Sequence, residues 1–412
     1  MFFLYQIFLS LIILISPALI IFRIFKKKED KIRFKEKFSI PSKKRSKGKI
    51  IWFHGTSVGE ILSIIPLIEY YEKDKSINQI LVTSTTLSSS KVLNKFKFQK
   101  TIHQFYPIDY FFFTKRFLEY WKPNIAIFID SEIWPSMFNK LYKKKITLVL
   151  LNARITKKTF LKWYAIRKFS KKVFSKISIA YPQNLETKYF LRKLNVKKIN
   201  SIGNLKYAEQ DNDLLNKFCT KFKDRKIWIA SSTHSNEEVF CAKTHIELKK
   251  KINNLLTILI PRHIHRIEKI KSELKNLKLN VMQHSSNKKN LRNIDIYIVD
   301  TFGETKKFHK IGCSVFLGGS IVNRGGQNPL EAARYGARIL HGPNIDNFKD
   351  VYKTLSDLKI SKKINTSKEL ASSIVFKKNK KLGKKIKKIG VKILKETIND
   401  LDKLIINEFK KT

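Results

Sequence analysis

The chain has 412 residues, of which 84 are Lys or Arg and 33 are Asp or Glu, giving a formal net charge of +51. A hydrophobic content of 43% excludes a disordered chain and is sufficient for two domains, each with its own core. Biased codon usage, which would enrich Lys, Ile and Asn together, is the favoured main cause of this charge. An anionic partner such as nucleic acid, a membrane surface or a phosphorylated substrate is a smaller contribution. The cysteines Cys219, Cys241 and Cys313 form no C-x-x-C pair, which argues against a zinc site or a disulfide framework.

Residues 1–22 contain no charged side chain, and four cations follow between residues 23 and 28. An apolar segment of this length spans a bilayer core, and the positive-inside rule places the rest of the chain in the cytoplasm. A cleaved signal peptide would need a basic segment before the apolar run and small residues after it, and neither is present. We therefore predict a transmembrane anchor at 1–22 and a basic juxtamembrane segment at 23–48 that lies on anionic lipid.

From residue 49 onward, short β-rich runs such as IIWF, NIAIFID and CSVFLGG alternate with longer helical stretches. This alternation is typical of βαβ units around a parallel sheet, and it pauses at 206–224 before it restarts. We predict an α/β fold with two facing Rossmann-like domains and a cleft between them, at 49–205 and 225–365. The segment 206–224 is then a linker, and 366–412 is a Lys-rich helical tail.

Polar clusters follow four predicted strands of the first half: HGTSVGE, DSEIWP, NARI and GNLK. Taken alone, Glu60 is a helix first-turn acid, Asp130 and Glu132 are helix caps or lysine partners, and Arg154 and Lys206 are surface cations. Because ligands bind beyond the carboxyl ends of parallel strands, the four clusters together favour a site. An acid that accepts a proton, near cations that stabilise an anionic leaving group, is suited to group transfer.

In the second half, the sequence GGSIVNRGGQNPLE follows the predicted strand CSVFL. Its glycines allow close approach of the backbone to a ligand, and Asn328, Pro329 and Glu331 resemble the N-cap, N1 and N3 positions of a helix. A helix start after a Gly-rich loop binds anions, while Glu331 either completes the cap or binds a ribose. Neither a P-loop nor a G-x-G-x-x-G motif is present, which disfavours an ATPase or a dinucleotide enzyme.

These motifs, together with SSTHSNEE, PRHIHR and DTFGE in the same order, resemble the 3-deoxy-D-manno-octulosonic acid (Kdo) transferases of lipopolysaccharide synthesis. The likeness extends from the apolar N-terminal segment to about residue 355. It implies an inverting, metal-independent glycosyltransferase of the GT-B type that needs no cofactor. It also implies transfer of Kdo from CMP-Kdo to a lipid A precursor, lipid IVA, at the cytoplasmic face of the inner membrane.

The resemblance also implies roles for individual residues. Glu60 is the expected general base, Asp130 and Lys206 stabilise the transition state, and Glu132 supports them. The expected CMP-binding residues are Pro261, Arg262, Phe302, Gly303, Glu304, Asn328, Pro329, Leu330 and Glu331.

Two positions depart from the family pattern. The family has E-T-E where this chain has Asp130-Ser131-Glu132, so the first acid is one methylene shorter. Gln327 replaces a histidine of the family and cannot titrate near neutral pH.

Two other functions are compatible with the pattern. The first is a GT-B transferase that uses another nucleotide sugar. The second is a membrane-tethered, basic nucleic-acid-binding protein, which the charge of +51 suggests. The basic residues are spread along the chain without a nucleic-acid-binding fold signature, so no nucleic acid partner is expected.

Overall fold

The computed structural model describes residues 1–208, 222, 224–286 and 291–411. The chain forms two units, Met1–Gln210 with Gly390–Thr412, and Asp211–Ile389. The predicted linker 206–224 lies mostly outside the described residues, and a 3-10 helix at Leu205–Ala208 that overlaps its start belongs to the first unit. The predicted boundaries of the domains stay predictions.

The described part of the first unit contains a parallel sheet covered by helices. Its strands are β1 Ile50–His54, β2 Gln79–Ser84, β3 Thr101–Phe105, β4 Ile125–Ile129, β5 Thr147–Ala153 and β6 Ile179–Pro182. Its α-helices are α1 Phe2–Phe25, α2 Val58–Tyr71, α3 Leu87–Leu93, α4 Phe111–Trp121, α5 Pro135–Lys143, α6 Lys157–Ala165, α7 Arg167–Phe174 and α8 Leu185–Lys193. A 3-10 helix at Arg33–Phe38 lies between α1 and β1.

The described part of the second unit repeats this pattern. Its strands are β7 Lys226–Thr233, β8 Leu255–Pro261, β9 Val281–Gln283, β10 Ile296–Ile298, β11 Ser314–Leu317, β12 Arg338–His341 and β13 Ser361–Lys363. Its α-helices are α9 Glu237–Lys249, α10 Ile267–Asn276, α11 Thr305–His309, α12 Leu330–Arg334, α13 Lys349–Asp357 and α14 Ser367–Ser373, with a 3-10 helix at Ile264–Arg266. A last helix, α15 Lys380–Lys410, starts in this unit, and its residues from 390 onward belong to the first unit.

The two sheets contain parallel strand pairs throughout. The first has the order β3-β2-β1-β4-β5-β6, and the second has the order β13-β12-β11-β7-β8-β10-β9. Every residue of β1 and β4 is buried, as expected for strands that have helices on both faces. The prediction of two parallel-sheet α/β domains is therefore confirmed.

Each sheet has a point where the chain order reverses, and ligands bind at the carboxyl ends of the strands at such a point. In the first sheet this point lies between β1 and β4. In the second sheet it lies between β7 and β11. The loops that follow these four strands are therefore the positions where chemistry is expected.

Three segments differ from the sequence pattern: β3 and β13 are strands that it does not predict, and INSIG is a predicted strand that does not form. Strand β3 was not predicted, because its run TIHQF contains the buried polar residues His103 and Gln104. The run INSIG at 199–203 forms an isolated bridge between Ile199 and Ala180 in place of a full strand.

Candidate active site

Glu60 lies in the first turn of α2, shortly after the buried strand β1. The Ser57 hydroxyl accepts a hydrogen bond from the Glu60 N–H at 3.3 Å and donates one to Glu60 Oε1 at 2.8 Å. The Thr56 N–H donates to Glu60 Oε2 at 2.7 Å. Glu60 therefore occupies a helix-start position, as its local sequence predicts, and both of its carboxyl oxygens are held by the chain.

The environment of Glu60 makes its carboxyl group unusually basic. Burial raises the pKa most strongly, and the charges of Glu132 and Asp130 raise it further. Hydrogen bonds from Ser57 and Thr56 act in the opposite direction, and the result is a pKa of about 7. A group with this pKa accepts a proton near neutral pH more readily than an ordinary glutamate, which is the property required of a general base.

Glu132 accepts hydrogen bonds from several groups at the same edge of the sheet. Its Oε2 accepts hydrogen bonds from Thr56 Oγ1 at 2.6 Å and from Trp134 Nε1 at 2.9 Å, and it lies 3.3 Å from His54 Nε2. Burial acts to raise the pKa of Glu132, but the contacts with His54, Thr56 and Trp134 outweigh it and hold the pKa below its usual range. Thr56 thus bonds to both acids, through its N–H to Glu60 and through its hydroxyl to Glu132.

His54 is part of the site, although nothing in its local sequence indicates a role. It is the fully buried last residue of β1, and its Nδ1 lies 2.9 Å from Thr83 Oγ1. Its ring centre lies 3.9 Å from that of Tyr106. These contacts fix the imidazole beside Glu132. They depend on the pairing of β1 with β2 and β4, which the local sequence does not show.

Asp130 follows β4, the neighbour of β1 in the sheet. Its φ of +61° lies in the left-handed region, which Asp and Asn adopt more readily than most other residues do. Lys206 Nζ lies 3.0 Å from Asp130 Oδ2, so the shorter acid of this chain still reaches the predicted cation. The Arg154 N–H donates to the Asp130 carbonyl oxygen at 3.1 Å. This hydrogen bond places the NARI motif beside Asp130.

Lys206 is positioned by an irregularity in the sheet. The register between β5 and β6 shifts after Leu150, and Asn152 has a φ of +50°. The Oδ1 of Asn152 accepts a hydrogen bond from the Leu205 N–H at 3.0 Å, and Asn204 Oδ1 accepts one from the Lys206 N–H at 2.9 Å. The structure therefore brings Glu60, Asp130, Glu132 and Lys206 together at one edge of the first sheet.

The predicted nucleotide-binding residues of the second unit lie at the end of β8, in the loop after β10, and in the loop and the helix α12 that follow β11. Pro261 is the buried last residue of β8, and the side chain of Arg262 is exposed. Phe302 is 81% exposed, and Gly303 has a φ of +84°. Glu304 Oε2 lies 2.7 Å from His284 Nε2, and the carboxylate also binds Thr301 and Lys307, so it is largely engaged within the protein.

The helix after the Gly-rich loop starts later than predicted. Pro329 is the N-cap residue of α12 and Leu330 is its first residue, whereas the sequence pattern predicts Asn328 and Pro329 at these positions. Asn328 Oδ1 still accepts a hydrogen bond from the Leu330 N–H at 3.1 Å, and Glu331 lies 3.8 Å from His309 Nδ1. Because α12 has only five residues, its dipole contributes less to anion binding than that of a longer helix would.

A buried carboxylate holds the start of the Gly-rich loop. Glu237 is fully buried, and its Oε2 accepts hydrogen bonds from the N–H groups of His234 at 2.9 Å and Gly319 at 2.7 Å. Its Oε1 accepts from the N–H groups of Ser320 at 3.1 Å and Ile321 at 3.0 Å. These N–H groups therefore bind Glu237, which fixes the start of the loop, while the predicted anion site lies further along the chain at 328–331.

Imidazole and guanidinium groups gather around this loop. The rings of His234 and His263 have centres 5.6 Å apart, and His234 Nε2 is buried without a hydrogen-bond partner in the described part of the chain. Burial lowers the pKa of both histidines, and the charges of Arg262 and Arg324 lower them further. This cluster at the ends of β7 and β8 offers hydrogen-bond donors and positive charge to an anionic ligand.

Comparison with known proteins identifies the family. A family profile described as 3-deoxy-D-manno-octulosonic-acid transferase (kdotransferase) matches residues 32–209. A 3-deoxy-D-manno-octulosonic acid transferase of Rickettsia bellii is 33% identical over 374 residues, which cover 90% of this chain and 89% of that protein. The transferase of Haemophilus influenzae is 31% identical, and the match covers 77% of this chain and 76% of that protein.

Solved structures show the same fold at low sequence identity. A glycosyltransferase from Rickettsia africae has a TM-score of 0.54 and 12% identity, with 89% of this chain and 100% of that chain covered. The UDP-GlcNAc 2-epimerase of Neisseria meningitidis has a TM-score of 0.57 and 11% identity, with 88% and 100% covered. Through its similarity to the curated transferases, this chain belongs to the 3-deoxy-D-manno-octulosonic acid transferase family.

Proposed function

We propose that this chain, a Kdo-transferring glycosyltransferase of lipopolysaccharide synthesis, moves Kdo from CMP-Kdo to the lipid A precursor lipid IVA with inversion at the anomeric carbon. The observation that carries the proposal is the placement of the Glu60 carboxyl group at the edge of the sheet that also holds the pair of Asp130 and Lys206. Burial and the charges of Glu132 and Asp130 raise the pKa of Glu60 there to about 7. Membership of the family indicates that the transferred sugar is Kdo. The site offers a proton acceptor, Glu60, and a cation, Lys206, for its transfer.

In the proposed mechanism, Glu60 removes the proton from an acceptor hydroxyl. The resulting oxygen nucleophile forms a bond to the anomeric carbon of Kdo, and the bond from that carbon to the CMP phosphate oxygen breaks. The electron pair leaves with CMP. The ammonium group of Lys206, held by Asp130, stabilises the negative charge that develops in the transition state.

The pH dependence of transfer follows from the state of Glu60. A base must be unprotonated to act, and its raised pKa means that the active form is lost below about pH 7. We expect kcat/KM to rise about tenfold per pH unit below this value and to level off above it. Single-turnover rates between pH 5 and about 9 measure the profile.

A substitution at Glu132 moves this midpoint in a known direction. Because the charge of Glu132 raises the pKa of Glu60, Glu132→Gln is expected to shift the acid limb of the profile to lower pH. The amide oxygen of Gln still accepts hydrogen bonds from Thr56 and Trp134. An unchanged midpoint in this variant would show that a group other than Glu60 causes the pH dependence of transfer.

For the donor, we propose that CMP binds to the loops that carry Pro261, Arg262, Phe302–Glu304 and Asn328–Glu331. Glu237 positions the Gly-rich loop, because it accepts hydrogen bonds from both the β7–α9 turn and residues 319–321. In Glu237→Gln, an NH2 group faces N–H donors and leaves some of them unsatisfied in a buried place. We expect the Kd for CMP to rise about tenfold or more.

Calorimetric titration with CMP checks this expectation. Glu247→Gln is a matched control on the same helix, because Glu247 makes a surface contact with Lys250. Unchanged CMP affinity in a folded Glu237→Gln protein would contradict the positioning role. The KM for the acceptor is expected to stay the same in both variants.

We further propose that transfer needs no metal ion or other cofactor, since cationic side chains such as Lys206 and Arg262 are available to neutralise the leaving phosphate. Incubation with EDTA followed by gel filtration is expected to leave kcat unchanged. A loss of activity that Mg²⁺ or Mn²⁺ restores would contradict this proposal.

For localisation, we propose that the apolar helix α1 and the basic segment after it hold the chain on anionic lipid at the cytoplasmic face of the inner membrane. Among the described residues, α1 is the one helix that is long and apolar enough to serve as a membrane anchor. No nucleic acid takes part in this proposal.

The choice of donor is tested by supplying CMP-Kdo, or UDP-sugars in its place, in membranes that carry lipid IVA. Release of CMP with formation of a Kdo-containing lipid is the expected result. Turnover with a UDP-sugar alone would favour the alternative of a GT-B transferase with another donor. Proton NMR of the product identifies the anomeric configuration and tests inversion.

A further inference from the structure

The N-terminal end of α1 is bonded to the first unit near the active-site edge of its sheet. Tyr5 Oη donates to Asp109 Oδ2 at 2.8 Å, and Gln6 Nε2 donates to Ser136 Oγ at 2.7 Å. The Phe111 N–H donates to Gln6 Oε1 at 3.1 Å. Ser136 lies in the first turn of α5, only four residues after Glu132.

The other end of α1 is tied to the same unit. Arg23 Nε lies 3.1 Å from Glu29 Oε2, and Glu29 also pairs with Lys37 in the 3-10 helix before β1. The Lys37 carbonyl oxygen accepts a hydrogen bond from the Ile108 N–H at 2.9 Å. Both ends of a 24-residue helix, about 36 Å apart, therefore contact one folded unit.

This placement is incompatible with a helix that crosses a bilayer while the domain stays in water. A spanning helix would carry Tyr5 and Gln6 to the far side of a hydrocarbon core about 30 Å thick, away from Asp109 and Ser136. In the structure, Leu9, Ser16 and Ile20 are instead buried against the protein. The opposite face exposes large apolar side chains: Phe3, Leu4, Phe8, Leu11, Leu14, Ile15, Phe22 and Phe25.

Cations lie beside the N-terminal end of α1. Met1 and Phe2 line a cavity of about 350 Å³ together with Lys168, Lys172 and Lys176 of α7 and the residues that follow it. Burial lowers the pKa of Lys176, and the like charges of Lys172 and Lys143 lower it further. Lysines next to an exposed apolar surface match the phosphate groups and acyl chains of anionic lipids.

We propose that α1 lies in the plane of an anionic bilayer, with its exposed apolar face in one leaflet and with Lys168, Lys172 and Lys176 on the lipid phosphates. This inference rests on the membrane attachment proposed above and concerns how α1 sits in the membrane. It places the membrane surface close to Ser136 and the loop of Glu132. A lipid acceptor would then reach the catalytic edge of the first sheet without leaving its leaflet.

A cross-link distinguishes the two orientations of α1. Phe2→Cys and Asn139→Cys, two positions that line the same cavity, are introduced into the full chain with its native cysteines replaced, and the protein is reconstituted into vesicles that contain phosphatidylglycerol. We expect a short bifunctional thiol reagent to join the two positions in most molecules. Absence of the cross-link in the membrane-bound protein would overturn the proposal.

A second measurement does not depend on the cysteine pair. In sealed vesicles with the catalytic units outside, an N-terminal tag is expected to be open to protease and to membrane-impermeant reagents. A protected tag would mean that α1 spans the bilayer and would overturn the proposal. Kdo transfer is measured on the same samples to distinguish the orientation of α1 from the proposed function. A protein that is cross-linked but inactive would contradict the proposed function and not the orientation of α1.

The lysines are tested by competition between anionic and phosphatidylcholine vesicles. Replacement of Lys168, Lys172 and Lys176 by Gln is expected to lower the preference for anionic vesicles about tenfold or more. The matched control replaces the exposed residues Lys91, Lys95 and Lys97 of the α3 region by Gln. Equal losses in the two triple variants would overturn the role given to the α7 lysines.

Discussion

Replacement of Glu60 by Gln is expected to lower kcat for Kdo transfer by about 10²–10⁴-fold, the contribution typical of a general base. Gln is nearly the same size and retains an oxygen that accepts the Thr56 N–H, so the start of α2 is preserved. The substitution therefore removes the proton acceptor while it leaves the helix cap in place. The Kd for CMP is expected to stay unchanged, because Glu60 lies in the first unit.

Single-turnover rates with CMP-Kdo and lipid IVA, together with the thermal midpoint Tm, measure this effect. Glu69→Gln is a matched control on the same helix and is expected to transfer Kdo at the wild-type rate. A Glu60→Gln protein that transfers Kdo normally would show that Glu60 only caps the helix. A loss of rate accompanied by a marked fall in Tm would also indicate that Glu60 has a structural role.

Replacement of Lys206 by Gln is expected to lower kcat by about 10²–10³-fold, because it removes a charge that stabilises the transition state. It also leaves Asp130, which is 5% exposed, without its cation, so the single variant is expected to have a lower Tm. Thus the single substitution combines a catalytic and a structural effect.

The double variant Asp130→Asn with Lys206→Gln separates these effects. Asn tolerates the left-handed backbone of position 130, and an amide pair has no buried net charge. We expect the double variant to recover Tm relative to Lys206→Gln and to remain slow in transfer. Recovery of both Tm and kcat would show that the ion pair serves stability alone.

Sequence reasoning located the acids and cations because parallel strands place their carboxyl ends at one edge. The buried runs IIWF and NIAIFID identify β1 and β4, and the residues that follow them had to lie near each other. The contact between Lys206 and Asp130 over 76 positions depends in addition on the hydrogen bond from the Leu205 N–H to Asn152, because the run before Lys206 forms only an isolated bridge. The φ of +61° at Asp130 adds a reason why a short acid suits this position.

Other features depend on contacts that no local pattern encodes. Glu237 reads as an ordinary first-turn acid of α9, yet it binds N–H groups of a loop about 80 residues later. His54 reaches Glu132 only because β1 and β4 are neighbours. Likewise, the hydropathy of residues 1–22 predicts a transmembrane anchor, but it does not encode the hydrogen bonds of Tyr5 and Gln6 that set the helix against the protein.

The central claim is that Glu60 activates a lipid hydroxyl for attack on CMP-Kdo. Mass spectrometry of the lipid after incubation of wild-type and Glu60→Gln protein with CMP-Kdo and lipid IVA tests it most directly. The account predicts a lipid heavier by whole Kdo residues with the wild type, and unchanged lipid with the variant although the variant binds CMP. Kdo-modified lipid at equal rates from both proteins would contradict it.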